Sequence, residues 1–226
     1  MKDIPLVVPL SLLVEVLVVL AAVRYRSALP PARRWLIAMA AMWVAADIFN
    51  FIQGRRRQNN LSTTYVIAVP EFAVVMMALA AWQTSRVWAK VLRGSIPVFA
   101  VIFVLLLVFV ERTDNFSLVT GPVKALLLLT AAALTLLARV REEEGDLLRR
   151  DWFWLGTSLA LYYACAALIH PIARVLRDAD LTLLLSAYTI KAYVQFFALV
   201  GMVVGIWLRI EPDAARSGPV KEIPSA

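Results

Sequence analysis

The 226-residue chain is 62% hydrophobic, and its mean hydropathy of +0.76 lies well above that of a typical soluble domain. Its net charge of +7 could suit a nucleic-acid-binding protein. No basic stretch is interleaved with aromatic residues on a polar domain, so we predict no nucleic-acid partner and assign the charge to membrane-flanking loops. The single cysteine, Cys165, excludes an internal disulfide and a cysteine metal cluster.

Seven apolar stretches take up almost the whole chain, and each approaches or exceeds the roughly 20 residues that cross a bilayer. We predict an all-α membrane protein, a seven-transmembrane helix bundle forming one domain over residues 1–210, because backbone polar groups in lipid must pair within helices. The charged, proline-containing segment 211–226 is predicted to be a disordered cytoplasmic tail. The predicted spans are Leu6–Val23, Trp35–Gln53, Ser62–Trp82, Ser95–Val110, Val119–Val140, Trp152–His170 and Leu183–Leu208.

Lys and Arg residues are divided unevenly between the two sides of the predicted bundle. Fourteen lie in the tail and in the loops after spans one, three and five, against seven on the other side. Because cytoplasmic loops are enriched in Lys and Arg, the N-terminus is predicted outside and the C-terminus in the cytoplasm. The cluster Arg55–Arg57 is the one exception to this bias.

Polar residues interrupt several spans in chain order. An ionisable side chain facing lipid costs at least about 2.5–3.5 kcal/mol, so these residues are expected to face the bundle interior. There they would form an outward-opening polar cavity between spans one, two, three, six and seven, with Lys191 paired to Glu71 or Asp47. One lysine cannot neutralise three carboxylates, so at least one acid is expected to carry a proton or bind ordered water. The residues predicted to bind ligand are Glu15, Asp47, Asn50, Glu71, Tyr188, Lys191 and Gln195.

The alternative is an interhelical hydrogen-bond network that only holds the bundle together. The sequence leaves the role of two further features undecided. Gly201 and Gly205 form a G-x-x-x-G pair, which favours internal packing and homo-oligomer formation equally. The segment Arg141–Asp151 is predicted to extend span five as a solvated helix end, with an acidic docking surface as the alternative.

Several chemistries lack the residues that they need. His170 is the only histidine, which excludes a bis-histidine haem and a three-histidine zinc site. No serine–histidine–acid grouping or glycine-rich phosphate loop is present, so no enzymatic activity, cofactor or metal is predicted. A carboxylate-rich metal site built from Glu15, Asp47, Glu71 and His170 is an alternative.

Two segments carry a resemblance. Asn60, Tyr65 and Glu71 form an N-x4-Y-x5-E pattern in span three, and the segment Asp151–Tyr163 reads DWFWLGTSLALYY. Together with the acidic Glu15 in span one, they resemble a loose family of uncharacterised bacterial seven-span proteins, some of which look like input modules of membrane sensor kinases. The resemblance implies a multi-pass protein of the bacterial inner membrane with a sensing role.

A second likeness is architectural. A short seven-span protein with an outside N-terminus and a lysine in span seven is similar to the retinal proteins, which would imply a Schiff base between retinal and Lys191. The function that we predict is a membrane sensor or accessory protein whose cavity binds a small ligand or ion. The chain shows no output domain, so it would signal to a membrane or cytoplasmic protein partner. Alternatives are a retinal-binding photoreceptor or pump, a small transporter, and a structural subunit of a membrane complex.

Overall fold

Helices make up nearly all of the chain that the computed structural model describes, which is residues 7–25, 29–56, 61–111, 117, 119–142, 146–179 and 181–207. This described part contains no strand. A 3-10 turn, Leu147–Arg149, precedes the sixth helix. The predicted tail over 211–226 lies outside the described residues. The helices are α1 (Val7–Tyr25), α2 (Pro31–Arg55), α3 (Leu61–Ala81), α4 (Arg86–Phe109), α5 (Thr120–Glu142), α6 (Asp151–Ala179) and α7 (Leu181–Trp207).

Six of these helices, α2 to α7, are long and apolar enough to cross a membrane, and α1 contains the shorter apolar segment Pro9–Ala21. The prediction of a helical, multi-pass membrane bundle is therefore confirmed. Two helices extend furthest beyond their predicted spans. Helix α4 begins earlier, at Arg86, because Ser85 caps it by accepting a hydrogen bond from the Trp88 amide. Helix α6 continues past Pro171, a residue that membrane helices tolerate inside a bundle.

Six helices form a closed ring. Each of α1, α2, α3, α5, α6 and α7 packs on the next, and α7 returns to α1. Helix α4 lies outside this ring against α3 and, less extensively, α5. Only Leu92, Phe99 and Phe103 of α4 are buried, and most of its other apolar side chains are exposed, as expected for a peripheral helix in lipid. A site inside the ring can therefore be built without α4.

The helices alternate in direction and define two ends of the bundle. At the second end, where the even-numbered helices begin, Arg33 near the start of α2 donates to Asp151 at the start of α6 over 2.9 Å. At the first end, where the odd-numbered helices begin, the Tyr65 hydroxyl of α3 donates to Glu111, just after α4, over 2.9 Å. These contacts fix which helix ends lie together.

The glycine pair of α7 allows close packing on α6. A Cβ atom built on Gly201 would lie 2.4 Å from the Ser158 Oγ, and one on Gly205 would lie 2.6 Å from the Leu155 Cγ. Real Cβ atoms do not approach other heavy atoms so closely. A side chain at Gly205 would displace Leu155 near its branch point, whereas one at Gly201 would require only the Ser158 hydroxyl to rotate away. The G-x-x-x-G pair therefore serves packing within the chain.

Candidate ligand-binding cavity

A cavity of about 170 Å³ lies inside the ring, in the half nearer the first end. All six ring helices contribute to its wall, including α5, which the sequence-based prediction left out. The cavity is not sealed, since Asp47 and Thr64 on its wall are exposed. The lining residues are Glu15, Trp43, Ala46, Asp47, Asn50, Thr64, Ile67, Glu71, Lys124, Ala125, Tyr162, Tyr163, Ala166, His170, Lys191 and Gln195.

Six of the seven residues predicted to bind ligand line this one cavity, and Tyr188 is the exception. Tyr188 instead lies beside Lys191, whose Nζ is 5.6 Å from the centre of the tyrosine ring. Helix α2 supplies Trp43, Asp47 and Asn50 at a spacing that places them on one helix face. The structure thus brings together polar residues that are far apart along the chain.

Glu71 and Lys124 form a buried ion pair across α3 and α5. The Tyr163 hydroxyl of α6 donates to the other Glu71 oxygen over 2.9 Å, so both carboxylate oxygens have a partner. The three residues are 3%, 6% and 1% exposed, respectively. This triad, which we call the closed network, ties α3, α5 and α6 together without any contribution from Lys191.

The predicted pairing of Lys191 with Glu71 or Asp47 is therefore wrong. Glu71 already has two partners on α5 and α6, and Lys191 forms no ion pair with another described residue. Sequence reasoning missed Lys124, although a signal was present: like Lys191, it lies inside an apolar span, where the cost of a lipid-facing charge requires a partner. The cavity therefore has two lysines for its three carboxylates.

Glu15 contrasts with the closed network. It is 0% exposed, and its Oε1 accepts only a long hydrogen bond of 3.5 Å from the Gln195 amide. Its Oε2 has no partner among the described residues, and the same holds for the buried Oδ1 of Asn50. An unpaired buried acceptor costs about 1–3 kcal/mol. The α1 and α2 side of the cavity therefore holds two buried acceptor atoms without a partner among the described residues.

His170 lies where α5 and α6 approach closely. A Cβ atom built on Gly121 would lie 2.2 Å from the His170 Nδ1, so glycine at this position leaves room for the imidazole on the cavity wall. The alternative of a metal site that joins His170 to the three acids is not supported. In the described part of the chain no group of three His, Cys, Asp or Glu residues could hold a metal ion.

The wall also carries aromatic rings. Trp43 of α2 and Tyr162 of α6 stack with ring centres 4.6 Å apart and an interplanar angle of 29°, and Tyr162 meets Tyr163 edge-on at 5.0 Å. These contacts link α2 and α6 across the ring. The cavity thus combines charged groups, unpaired acceptors and aromatic surface. Comparisons of the chain with protein-family models, with curated proteins and with solved structures found no match.

Proposed function

We propose that this protein is a membrane sensor or accessory protein, without enzymatic activity, that binds a small ligand or ion in the cavity and signals to a partner protein. The observation that carries the proposal is the cavity itself. Its volume is about 170 Å³. One water molecule takes up about 30 Å³ in the liquid, so the cavity has the volume of about five or six waters. Ionisable residues inside a membrane usually mark a ligand, ion or proton path.

The hydrogen-bonding pattern separates this proposal from a purely structural network. Polar residues that only hold helices together are expected to satisfy one another, as Glu71, Lys124 and Tyr163 do. Glu15 and Asn50 keep unpaired acceptor atoms on the cavity wall. Such atoms reduce stability unless something else binds them, which favours a site that is occupied during function.

Three helices that line the cavity also contact one another at the second end, and these contacts provide a route for the signal. Arg33, which is 4% exposed, donates to Asp151 of α6 and to the Ile206 carbonyl of α7, each over 2.9 Å. Arg33 thus ties together α2, α6 and α7, all of which line the cavity. A ligand that shifts one of these helices would change this tie at the other end of the bundle.

The distribution of charge supports an orientation with the second end in the cytoplasm. We propose that α1 provides the seventh crossing, that the N-terminus is outside, and that the protein resides in a bacterial inner membrane. On the first side, the basic residues near the ends of described helices are Arg55, Arg56, Arg174 and Arg177. The basic residues at the second end are Arg24, Arg33, Arg34, Arg86, Lys90, Arg93, Arg139, Arg141, Arg149 and Arg150.

The cavity does not favour retinal. Pockets for drug-sized ligands measure about 300–1,000 Å³, whereas this cavity measures about 170 Å³. Lys191 also lacks an ion pair with a described carboxylate that could serve as a counterion. Retinal added to the purified protein is therefore expected to give no red-shifted visible band that Lys191→Ala abolishes.

A cavity-filling variant tests the proposal. Ala46 is 7% exposed on the cavity wall, whereas Ala41, on the same helix, is exposed on the outside of the bundle. The protein in nanodiscs would be screened for small polar compounds that raise its melting temperature. We expect at least one compound to act saturably on the wild type and on Ala41→Phe but not on Ala46→Phe. If no compound distinguishes the two variants, the proposal is wrong.

Signalling and transport would then be separated with the compound identified. A fluorophore on a cysteine introduced at Leu148, which is 59% exposed at the second end, would report a change there on ligand binding. We expect the fluorescence to change with the same midpoint as binding. An unchanged signal together with accumulation of the compound inside proteoliposomes would instead indicate a transporter.

A further inference from the structure

The charges on the cavity wall do not balance. Three carboxylates, Glu15, Asp47 and Glu71, face two ammonium groups, Lys124 and Lys191. With the histidine counted as neutral, the wall carries one excess negative charge. Lys124 neutralises Glu71 by direct contact, so the excess lies with Glu15 and Asp47. Lys191 lies on the same wall but forms no ion pair with another described residue. A buried, uncompensated charge is strongly destabilising. A proton on one of these two acids would remove the imbalance, and so would one bound positive charge.

Glu15 is the acid with the greatest need for a partner. It is fully buried, its Oε2 has no partner among the described residues, and its only hydrogen bond is the long one from Gln195. The unpaired Oδ1 of Asn50 lies on the same wall. All these atoms are acceptors, so they match a ligand that brings N–H donors and a positive charge together. An anionic ligand would meet repulsion from Glu15 and Asp47.

The size and surface of the cavity distinguish an organic cation from a bare metal ion. A bare ion would leave most of the 170 Å³ to water, whereas about five to eight non-hydrogen atoms would fill it. The stacked rings of Trp43 and Tyr162 form part of the wall, and aromatic faces attract ammonium groups. The described residues also lack a metal-binding group of three His, Cys, Asp or Glu residues.

We propose that the ligand of this cavity is a small organic ammonium ion with one positive charge, bound by the Glu15 carboxylate and the Asn50 amide oxygen beside the Trp43–Tyr162 pair. This inference rests on the proposed function and deepens it by naming the class of ligand. Glu15 makes the charge contact, Asn50 accepts a second N–H, and the aromatic pair covers the apolar part of the ion.

Butylammonium is a suitable probe because its five non-hydrogen atoms suit the cavity. The wild-type protein in nanodiscs would be titrated with butylammonium chloride, 1-butanol, sodium butyrate and sodium chloride at equal ionic strength, with the melting temperature as the readout. We expect a saturable rise with butylammonium alone. Equal rises with butylammonium chloride and sodium chloride would show an inorganic-cation or salt effect, and a rise with butanol an apolar site. Either result would overturn the inference.

Two variants of one residue test the assigned contact. In Glu15→Gln, removal of the excess charge is expected to leave the melting temperature without ligand unchanged or higher, while the affinity for butylammonium falls at least tenfold. Glu15→Asp keeps the charge but retracts it by one methylene, so it is expected to weaken binding less. The control is Glu142→Gln, which changes an exposed acid at the second end and is expected to bind as the wild type does. Unchanged affinity in both Glu15 variants would refute the role of Glu15.

The failure of this inference can be told apart from failure of the proposed function. If butylammonium does not bind but another compound raises the melting temperature of the wild type and not of Ala46→Phe, the cavity binds a ligand of a different class. If butyrate raises the melting temperature of the wild type and not of Ala46→Phe, the ligand is anionic and the charge assignment is wrong. If no compound separates wild type from Ala46→Phe, the proposed function itself is wrong.

Discussion

Replacing Lys124 with methionine is expected to destabilise the bundle strongly. Methionine keeps most of the apolar volume of the side chain but removes the ammonium group that contacts Glu71. The Glu71 carboxylate, 3% exposed, would then keep only the hydroxyl of Tyr163 as a partner. Breaking one side of a buried ion pair typically costs about 3–5 kcal/mol, because the remaining charge stays out of water.

The closed network predicts how other changes combine with this one. Tyr163→Phe removes one hydrogen bond to a charged oxygen and is expected to cost about 1.5–3 kcal/mol. Adding Glu71→Gln to Lys124→Met removes the orphaned charge, so the double variant is expected to be more stable than Lys124→Met alone. The coupling free energy between the two positions should fall within about 0.5–3 kcal/mol.

The assay is reversible unfolding in mixed micelles, followed by far-UV circular dichroism, with the free energy of unfolding as the measured quantity. Lys191→Met is the matched control, because it removes the other cavity lysine, which has no ion pair with a described residue. We expect its loss of stability to be clearly smaller than that of Lys124→Met. Additive effects of Lys124→Met and Glu71→Gln, or equal losses for the two lysines, would refute the assigned pairing.

Three further predictions concern packing, the tie at the second end and orientation. Gly205→Ala is expected to cost about 1–3 kcal/mol of unfolding free energy by overpacking the α6–α7 contact. Gly94→Ala, with nothing within 4 Å of its Cβ, should be neutral or stabilising by up to about 1 kcal/mol. Arg33→Met should destabilise the bundle less than Lys124→Met does, because the side chain of Asp151, the partner of Arg33, is 23% exposed and keeps some contact with water. An equal loss of unfolding free energy in the two variants would contradict this. A cysteine at Leu148, after Cys165→Ser, should react with an impermeant thiol reagent only once the membrane is opened, and labelling of intact cells would reverse the proposed orientation.

The positions of the spans and the inward placement of polar residues were predictable because both follow from local properties. Hydropathy over about 20 residues is a property of one segment, and a charge inside such a segment faces a cost that does not depend on the other helices. This reasoning identified Glu15 and Asn50 on different helices, and both lie on one cavity wall. It also placed Tyr188 on the wall, which is wrong. Two residues can share a helix face, as Tyr188 and Lys191 do, without both side chains reaching the cavity.

The pairing of charges was not predictable in this way, because it depends on which helices are neighbours. Sequence order suggests that α3 should pack mainly between α2 and α4, yet α3 also contacts α5, while α4 lies outside the ring. That arrangement brings Lys124 to Glu71. The position of Lys124 inside span five indicates that it needs a partner, but not which helix supplies that partner.

The two halves of the cavity wall differ in how many of their polar atoms lack a partner. The closed network joins α3, α5 and α6 with each oxygen of Glu71 already paired, so a ligand has little to gain by binding there. The α1 and α2 side holds Glu15 and Asn50 with unpaired acceptors, each of which costs stability in the unliganded protein. A ligand that satisfies them recovers this free energy on binding. Under the proposed function, this free energy would shift the second end only if the ligand bound one arrangement of the helices more tightly than another. Arg33, which ties α2 to α6 and α7, would carry that change.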